Sequence, residues 1–130
     1  MIVLDASAAV DWLLQTPAGR QIETRIYSQN ETLHTVHLLD LEVTQVLRRL
    51  LAQGTVTTAR ADQALQDLLD LRITRYAHFP FLSRIWKLRH NFSAYDAAYV
   101  GLAETLGAPL ITRDARLAST SGHSVFIELF

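Results

Sequence analysis

The most informative segment of the chain is residues 93–114, SAYDAAYVGLAETLGAPLITRD. Ser93 followed by Asp96 has the spacing of a capping box, which predicts that a helix begins here. We expect this helix to end at Gly107, because glycine readily adopts the left-handed conformation that closes many helices. The apolar run Pro109–Thr112 that follows is typical of a buried strand. The segment therefore predicts a helix that leads into a strand, with an acid near the start of the helix and another just beyond the strand.

The same alternation extends along the rest of the chain. Short apolar runs predict further strands at residues 2–4, 33–36, 73–79 and 125–130. Amphipathic stretches predict helices that begin at the N-cap Ser7, over residues 18–30, over residues 38–53, at the N-cap Thr57, and over residues 80–90. Strands that alternate with helices form parallel sheets. We therefore expect a single α/β domain over residues 1–130, whose mostly parallel, twisted sheet of four to five short strands is flanked by helices on both faces.

Composition excludes several classes of protein. The chain of 130 residues has no cysteine, which excludes disulfides, thiolate metal sites and a cysteine nucleophile. No apolar run approaches the ~18 residues that span a membrane, and the first residues lack the basic region of a signal peptide. We expect a cytoplasmic protein without a membrane partner.

Charge is distributed unevenly along the chain. Residues 48–90 carry eight basic residues against three acids, whereas residues 1–47 and 91–130 are net acidic. This pattern is compatible with a metal site beside a surface that binds a polyanion. Solvated helix faces would give the same pattern, so charge alone leaves both interpretations open.

Four acids lie beside apolar runs: Asp5, Glu42, Asp96 and Asp114. Asp5 and Asp114 follow predicted strands, and the carboxyl ends of parallel strands share one edge of a sheet, where ligands bind. Taken singly, each acid has a structural explanation, such as a helix cap, a turn or an ion pair. Four carboxylates gathered in one pocket would repel one another unless a cation compensates them. An all-oxygen site suits Mg²⁺ or Mn²⁺.

Four sequence blocks carry a resemblance to a known family. They are Ile2–Ser7, Leu41–Val43 with Val46–Arg49, Tyr95–Ala103, and Pro109–Asp114. In these blocks the chain resembles PIN-domain proteins, most closely the VapC-type toxins of bacterial toxin–antitoxin pairs.

The resemblance implies a metal-dependent endoribonuclease. Asp5, Glu42, Asp96 and Asp114 would be its catalytic, Mg²⁺- or Mn²⁺-binding acids, and an ion-activated water would hydrolyse RNA phosphodiester bonds. Ser7 and Thr112 match hydroxyl positions that flank the site in relatives.

The resemblance also implies partners. Basic residues near the acids would contact RNA phosphates, and the candidates are Arg84, Lys87, Arg89 and Arg113. We expect a homodimer and a cognate antitoxin of the VapB type, whose amphipathic helix would bind between the helices of residues 38–53 and 57–72.

Two other functions are compatible with these residues. Asp5 could be the covalent nucleophile of a Mg²⁺-dependent phosphatase, although Glu42 would then have no role. A catalytically weak PIN-like module that only binds RNA is the second alternative. Metal-dependent RNA cleavage distinguishes the nuclease from both.

Overall fold

A computed structural model describes all residues 1–130 and contains one sheet of five parallel strands. The strands are β1 (Ile2–Leu4), β2 (Leu33–Val36), β3 (Ile73–Tyr76), β4 (Leu110–Thr112) and β5 (Ile127–Leu129). Their order across the sheet is β3-β2-β1-β4-β5. This arrangement confirms the expected α/β fold and places β1 at the centre.

Seven helices connect the strands. They are α1 (Ala6–Leu13), α2 (Pro17–Ser28), α3 (Leu38–Ala52), α4 (Thr58–Asp70), α5 (Leu82–Lys87), α6 (Ala94–Leu106) and α7 (Ala115–Ser119), with a 3₁₀ turn at Phe79–Phe81 before α5. Contacts join α1 to α2, α3 and α4, whereas α6 packs on β1, β2, β4 and α5. The chain places β2 and β3 on one side of β1, then returns to place β4 and β5 on the other side. Because crossovers between parallel strands are right-handed, α1–α4 cover one face of the sheet and α5–α7 cover the other. None of these helices combines the length and hydropathy that a membrane crossing requires.

The core forms where β1 and α6 meet. Every residue of β1 is buried, as expected for a central strand of a parallel sheet that is covered on both faces. Helix α6 buries seven consecutive residues, from Ala97 to Ala103, because the sheet covers one side and α5 the other. Four of these seven residues are alanine or glycine, so the backbone of α6 can approach the sheet closely. This close packing determines where the acid in the first turn of α6 lies.

The start of α1 differs from the prediction. Asp5, not Ser7, is the N-cap, and its Oδ1 accepts a hydrogen bond from the backbone N–H of Ala8 at 2.9 Å. The prediction of Ser7 was wrong because the chain leaves β1 with Asp5 already in the extended conformation of a cap, and the helix begins at once. The predicted caps Thr57 and Ser93 are confirmed, since each side chain accepts a hydrogen bond from a backbone N–H of its own helix.

Helices α1 and α2 touch through their backbones at Gly19. A Cβ atom built on Gly19 would overlap the carbonyl oxygen of Asp11 in α1. Glycine is therefore required here by the close approach of two helices, although its backbone conformation is ordinary.

We predict that Gly19→Ala destabilises the protein by about 2–4 kcal/mol, because α2 must move away from α1. Alanine normally stabilises a helix interior by about 1 kcal/mol relative to glycine. A loss of stability in Gly19→Ala would therefore be due to the clash with α1. Gly101→Ala in α6 is the matched control, since an added Cβ there makes only ordinary contacts at 3.8 Å. Urea unfolding of both variants measures the effect, and equal midpoints would contradict the prediction.

Candidate active site

Asp5 and Asp114 lie at the same edge of the sheet, at the ends of the paired strands β1 and β4. Hydrogen bonds join the two chain segments, because the backbone N–H of Arg113 donates to Ser7 Oγ at 2.9 Å. The hydroxyl oxygens of Ser7 and Thr112 lie 3.3 Å apart. The backbone N–H of Asp114 donates to Thr112 Oγ1 at 3.0 Å. The two hydroxyl residues therefore position both acids relative to each other.

The carboxylate of Asp5 is held by three donors. Its Oδ1 accepts from Ser7 Oγ at 2.7 Å and from the backbone of Ala8, and its Oδ2 accepts from Thr112 Oγ1. Asp5 is only 6% exposed. Burial raises the pKa of Asp5, the three hydrogen bonds oppose that rise, and the negative charge of Asp96 adds to it. One lone pair of Oδ2 remains available, so Asp5 can still bind a ligand.

Glu42 reaches the same edge of the sheet from α3. The hydroxyl of Tyr99 in α6 donates to Glu42 Oε1 at 3.3 Å. Burial raises the pKa of Glu42; the hydrogen bond from Tyr99 lowers it, and the charges of Asp5 and Asp96 raise it further. Tyr99 is a residue of the site that was not predicted from the amino-acid sequence. Its position three residues after Asp96, on the same face of one helix, is the signal that could have identified it.

Asp96 lies in the first turn of α6 and faces Asp114. Burial raises the pKa of Asp96, the charge of Asp114 raises it further, and the charge of Arg116 lowers it. The guanidinium Nη2 of Arg116 lies 3.8 Å from Asp96 Oδ2 and 3.6 Å from Asp114 Oδ2. Arg116 is therefore placed beside two of the four acids.

Asp114 has two roles in the structure. Its Oδ1 is the N-cap of α7 and accepts from the backbone N–H groups of Arg116 at 2.9 Å and Leu117 at 3.3 Å. Its Oδ2 faces the guanidinium of Arg116. Asp114 is thus a helix cap, as its structural explanation predicted. This role uses Oδ1 and leaves Oδ2 able to bind a ligand.

The four acids Asp5, Glu42, Asp96 and Asp114 form one group, which we call the acid cluster. Each pKa shift described above includes a contribution from another member of the cluster. Their donor set consists of carboxylate oxygens, which fits Mg²⁺ or Mn²⁺. In their present conformations, however, no three acidic or histidine side chains lie close enough to share one ion. The chemistry of the cluster therefore fits a hard divalent ion, and its side chains do not yet form a closed site.

Two predicted RNA contacts are engaged in other interactions. Arg113 Nε donates to Asp11 Oδ2 at 2.7 Å, and its Nη1 donates to the carbonyl oxygen of Phe130. Arg84 makes a bidentate pair with Glu104, at 2.7 and 2.8 Å, which joins α5 to α6. Both guanidinium groups therefore serve as links within the fold, which argues against Arg84 and Arg113 as phosphate contacts.

The other two predicted RNA contacts are exposed at the end of α5. Arg89 stacks on the exposed ring of Trp86, with its guanidinium carbon 4.6 Å from the ring centroid. Lys87 makes no ion pair with any acid in the protein. Lys87 is therefore available to an anionic ligand, and Arg89 keeps exposed N–H groups although its Nη1 donates to the carbonyl oxygen of Trp86 at 2.9 Å.

Comparisons with known proteins identify relatives along nearly the whole chain. A family model described as the PIN domain matches residues 2–122. Ribonuclease VapC12 of Mycobacterium tuberculosis is 41% identical over 129 residues, which cover 99% of this chain and 98% of that protein. Ribonuclease VapC9 of the same species is 44% identical over 120 residues, which cover 92% of this chain and 91% of that protein.

Solved structures share the fold at lower identity. PAE2754 from Pyrobaculum aerophilum has a TM-score of 0.70 and 22% identity, over 97% of this chain and 81% of that chain. VapBC2 from Rickettsia felis, bound to a DNA fragment from their promoter, has a TM-score of 0.66 and 14% identity, over 99% of this chain and 98% of that chain.

We predict that Asp96→Asn stabilises the protein at pH 7, because it removes a charge that is disfavoured by burial and by the charge of Asp114. The raised pKa of Asp96 means that its ionised form opposes folding. The variant should therefore exceed the wild type in stability above the folded-state pKa and match it below about pH 3.9, where Asp96 is protonated in both the folded and the unfolded state. Urea unfolding across this pH range measures the difference.

The matched control for Asp96→Asn is Asp62→Asn, which removes an exposed acid from α4. Its stability should follow that of the wild type at every pH. Equal stabilities of Asp96→Asn and wild type at pH 7, or a gain that persists unchanged at pH 3, would show that charge repulsion does not act on Asp96.

Proposed function

This chain belongs to the PIN-domain family, among the proteins of the VapC type, and we propose that it is a metal-dependent endoribonuclease, the toxin of a toxin–antitoxin pair. The observation that carries the proposal is the acid cluster: four carboxylates from distant parts of the chain lie near one edge of a parallel sheet, and three of them have pKa values that another member of the cluster helps to raise. The identity of 41% and 44% to proteins named as VapC ribonucleases supports RNA as the substrate.

Asp5, Glu42, Asp96 and Asp114 are the residues that would hold Mg²⁺ or Mn²⁺. When bound, the ion supplies Lewis acidity that activates a water and neutralises charge on the phosphoryl oxygens. Asp5 is the rigid member of this set, because its hydrogen bonds to Ser7, Ala8 and Thr112 prevent rotation.

The remaining three acids can adjust to a ligand, since each keeps a carboxylate oxygen without a direct hydrogen bond. Tyr99 holds only one oxygen of Glu42, and the backbone of α7 holds only one oxygen of Asp114. We assign substrate contact to Lys87 and Arg89, whose exposed charges suit the phosphates of RNA independently of its sequence. The ring of Trp86 beside Arg89 offers an apolar face on which a base can stack.

The alternative reaction, phosphoryl transfer to Asp5, finds less support in these contacts. A covalent nucleophile must approach phosphorus with a free oxygen, whereas both oxygens of Asp5 accept hydrogen bonds and the residue is 6% exposed. The weak RNA-binding module is less well supported than the nuclease, because all four acids of the cluster are present.

We predict that the purified protein cleaves a mixed RNA pool in the presence of Mg²⁺ or Mn²⁺ and that EDTA abolishes cleavage. Asp114→Asn should reduce the rate by roughly 100-fold, because an amide replaces a charged ligand. Asparagine is as good an N-cap as aspartate, so α7 and the stability of the fold should be kept. Asp62→Asn is the matched control and should cleave like the wild type.

Three outcomes distinguish the functions. Metal-dependent cleavage by the wild type, lost in Asp114→Asn, supports the nuclease. A trapped aspartyl-phosphate on Asp5 would instead support the phosphatase, and tight RNA binding without cleavage would support the binding module.

We also propose a VapB-like antitoxin that binds between α3 and α4. A cleft of about 340 Å³ lies there, and its lining residues are Asp40, Thr44, Leu65, Leu68, Leu69 and Arg75. Leu69 is 67% exposed beside this cleft, which leaves an apolar surface for one face of an amphipathic helix. Similarity to the solved VapBC2 supports a partner of this kind.

A homodimer is proposed through a second apolar surface, on the 3₁₀ turn and on α5 and α6. Phe79, Leu82 and Tyr95 are exposed there, and Phe79 is 82% exposed. A cleft of about 220 Å³, whose lining is mostly hydrophobic, includes Leu82 and Tyr95. Apolar surfaces of this kind mark protein interfaces.

We predict that size-exclusion chromatography with light scattering gives a dimer for the wild type and a monomer for Phe79→Glu. A charge placed at this surface would have to be buried in the dimer. Leu69→Glu is the matched control, since it places the same charge outside this surface and should remain dimeric while losing the binding of a VapB-like antitoxin. A wild-type monomer at micromolar concentration would contradict the proposed dimer.

A further inference from the structure

Arg116 differs from the other arginines that contact acids in this protein. The others lie 2.7 to 2.8 Å from a carboxylate oxygen, and they are Arg25, Arg75, Arg84 and Arg113. Arg116 lies 3.6 and 3.8 Å from its two acids, and its side chain is 81% exposed. Its guanidinium is therefore held near the acid cluster by charge, without a close hydrogen bond.

The backbone of Arg116 is nevertheless fixed. Its N–H donates to Asp114 Oδ1 at 2.9 Å, as part of the cap of α7. The backbone of Arg116 is thus fixed beside Asp96 and Asp114, whereas its exposed side chain can move away from both acids. Such exposed pairs contribute at most about 1 kcal/mol, so releasing Arg116 costs little.

No other basic side chain lies within ion-pair distance of the acid cluster. The remaining salt bridges in the protein involve acids outside it, namely Asp11, Glu31, Asp40, Glu104 and Glu128. Arg116 is therefore the one positive side chain that is paired with members of the acid cluster, and it is paired with two of them, Asp96 and Asp114.

We infer that Arg116 is a built-in counter-cation of the acid cluster, which competes with a divalent ion for Asp96 and Asp114. This inference rests on the proposed function, because it concerns the ion that the nuclease would use. A divalent ion that takes oxygens from Asp96 or Asp114 meets the positive charge of Arg116 at the same carboxylates. Binding therefore requires the guanidinium to move outward. Arg116 is a positioning residue that sets the affinity of the site for its ion.

The test is the binding of Mn²⁺ alone, measured by isothermal titration calorimetry. Arg116→Gln removes the charge and should bind Mn²⁺ roughly fivefold more tightly than the wild type, as expected when a charge near the site is removed in a well-solvated environment. Arg116→Lys keeps the charge and should remain within about twofold of the wild type. Raising the salt concentration should reduce the difference between Arg116→Gln and wild type, because salt screens exposed charges.

The matched control is Arg72→Gln, which removes an exposed arginine that precedes β3, at the opposite edge of the sheet. Its affinity for Mn²⁺ should equal that of the wild type. Urea unfolding of each variant confirms that the compared proteins are folded.

An affinity of Arg116→Gln for Mn²⁺ that equals or falls below that of the wild type would overturn the inference. If the wild type then still binds Mn²⁺ and cleaves RNA, only the role of Arg116 is wrong. If the wild type neither binds Mn²⁺ nor cleaves RNA with any divalent ion, the nuclease function fails as well.

Discussion

The carboxylate of Asp5 connects three parts of the fold that are far apart in the chain. It follows the central strand, caps α1 through Ala8, and accepts a hydrogen bond from Thr112 at the end of β4. These bonds compensate a charge that is almost completely buried, and without them the folded state would have an unpaired polar group in its core. Because the bonds run to both β4 and α1, the same contacts set the distance between the two strand ends that carry Asp5 and Asp114.

The rest of the acid cluster is positioned by packing against this centre. The small residues of α6 allow it to lie close to the sheet, which places Asp96 beside Asp114. Tyr99, on the same helix, reaches across to Glu42 on α3. Burial and the charges of neighbouring acids raise the pKa values of Asp5, Glu42 and Asp96, so the ionised forms of these three side chains are disfavoured in the folded protein.

Four arginines form close ion pairs within the fold: Arg25, Arg75, Arg84 and Arg113. Arg84 joins α5 to α6, and Arg113 joins the turn after β4 to α1 and to Phe130. Within the basic segment of residues 48–90, ion pairs engage only Arg75 and Arg84. Lys87 at the end of α5 and Arg89 just after it remain exposed, and Arg116 lies 3.6 and 3.8 Å from Asp114 and Asp96 without a close hydrogen bond. Ion pairing thus separates the arginines that link elements of the fold from the basic side chains that remain exposed.

The elements of the fold and the edge of the sheet that carries the acids followed from the amino-acid sequence. Apolar runs marked the strands, Thr57 and Ser93 marked helix starts, and parallel pairing brought the ends of β1 and β4 together. The partners of individual side chains followed only from the tertiary structure: Asp5 in place of Ser7 as the cap, Tyr99 on Glu42, and Arg84 on Glu104. Hydrophobic periodicity specifies which face of an element is buried, whereas a hydrogen bond between distant residues depends on how closely two elements pack and on the side-chain conformations that this packing allows.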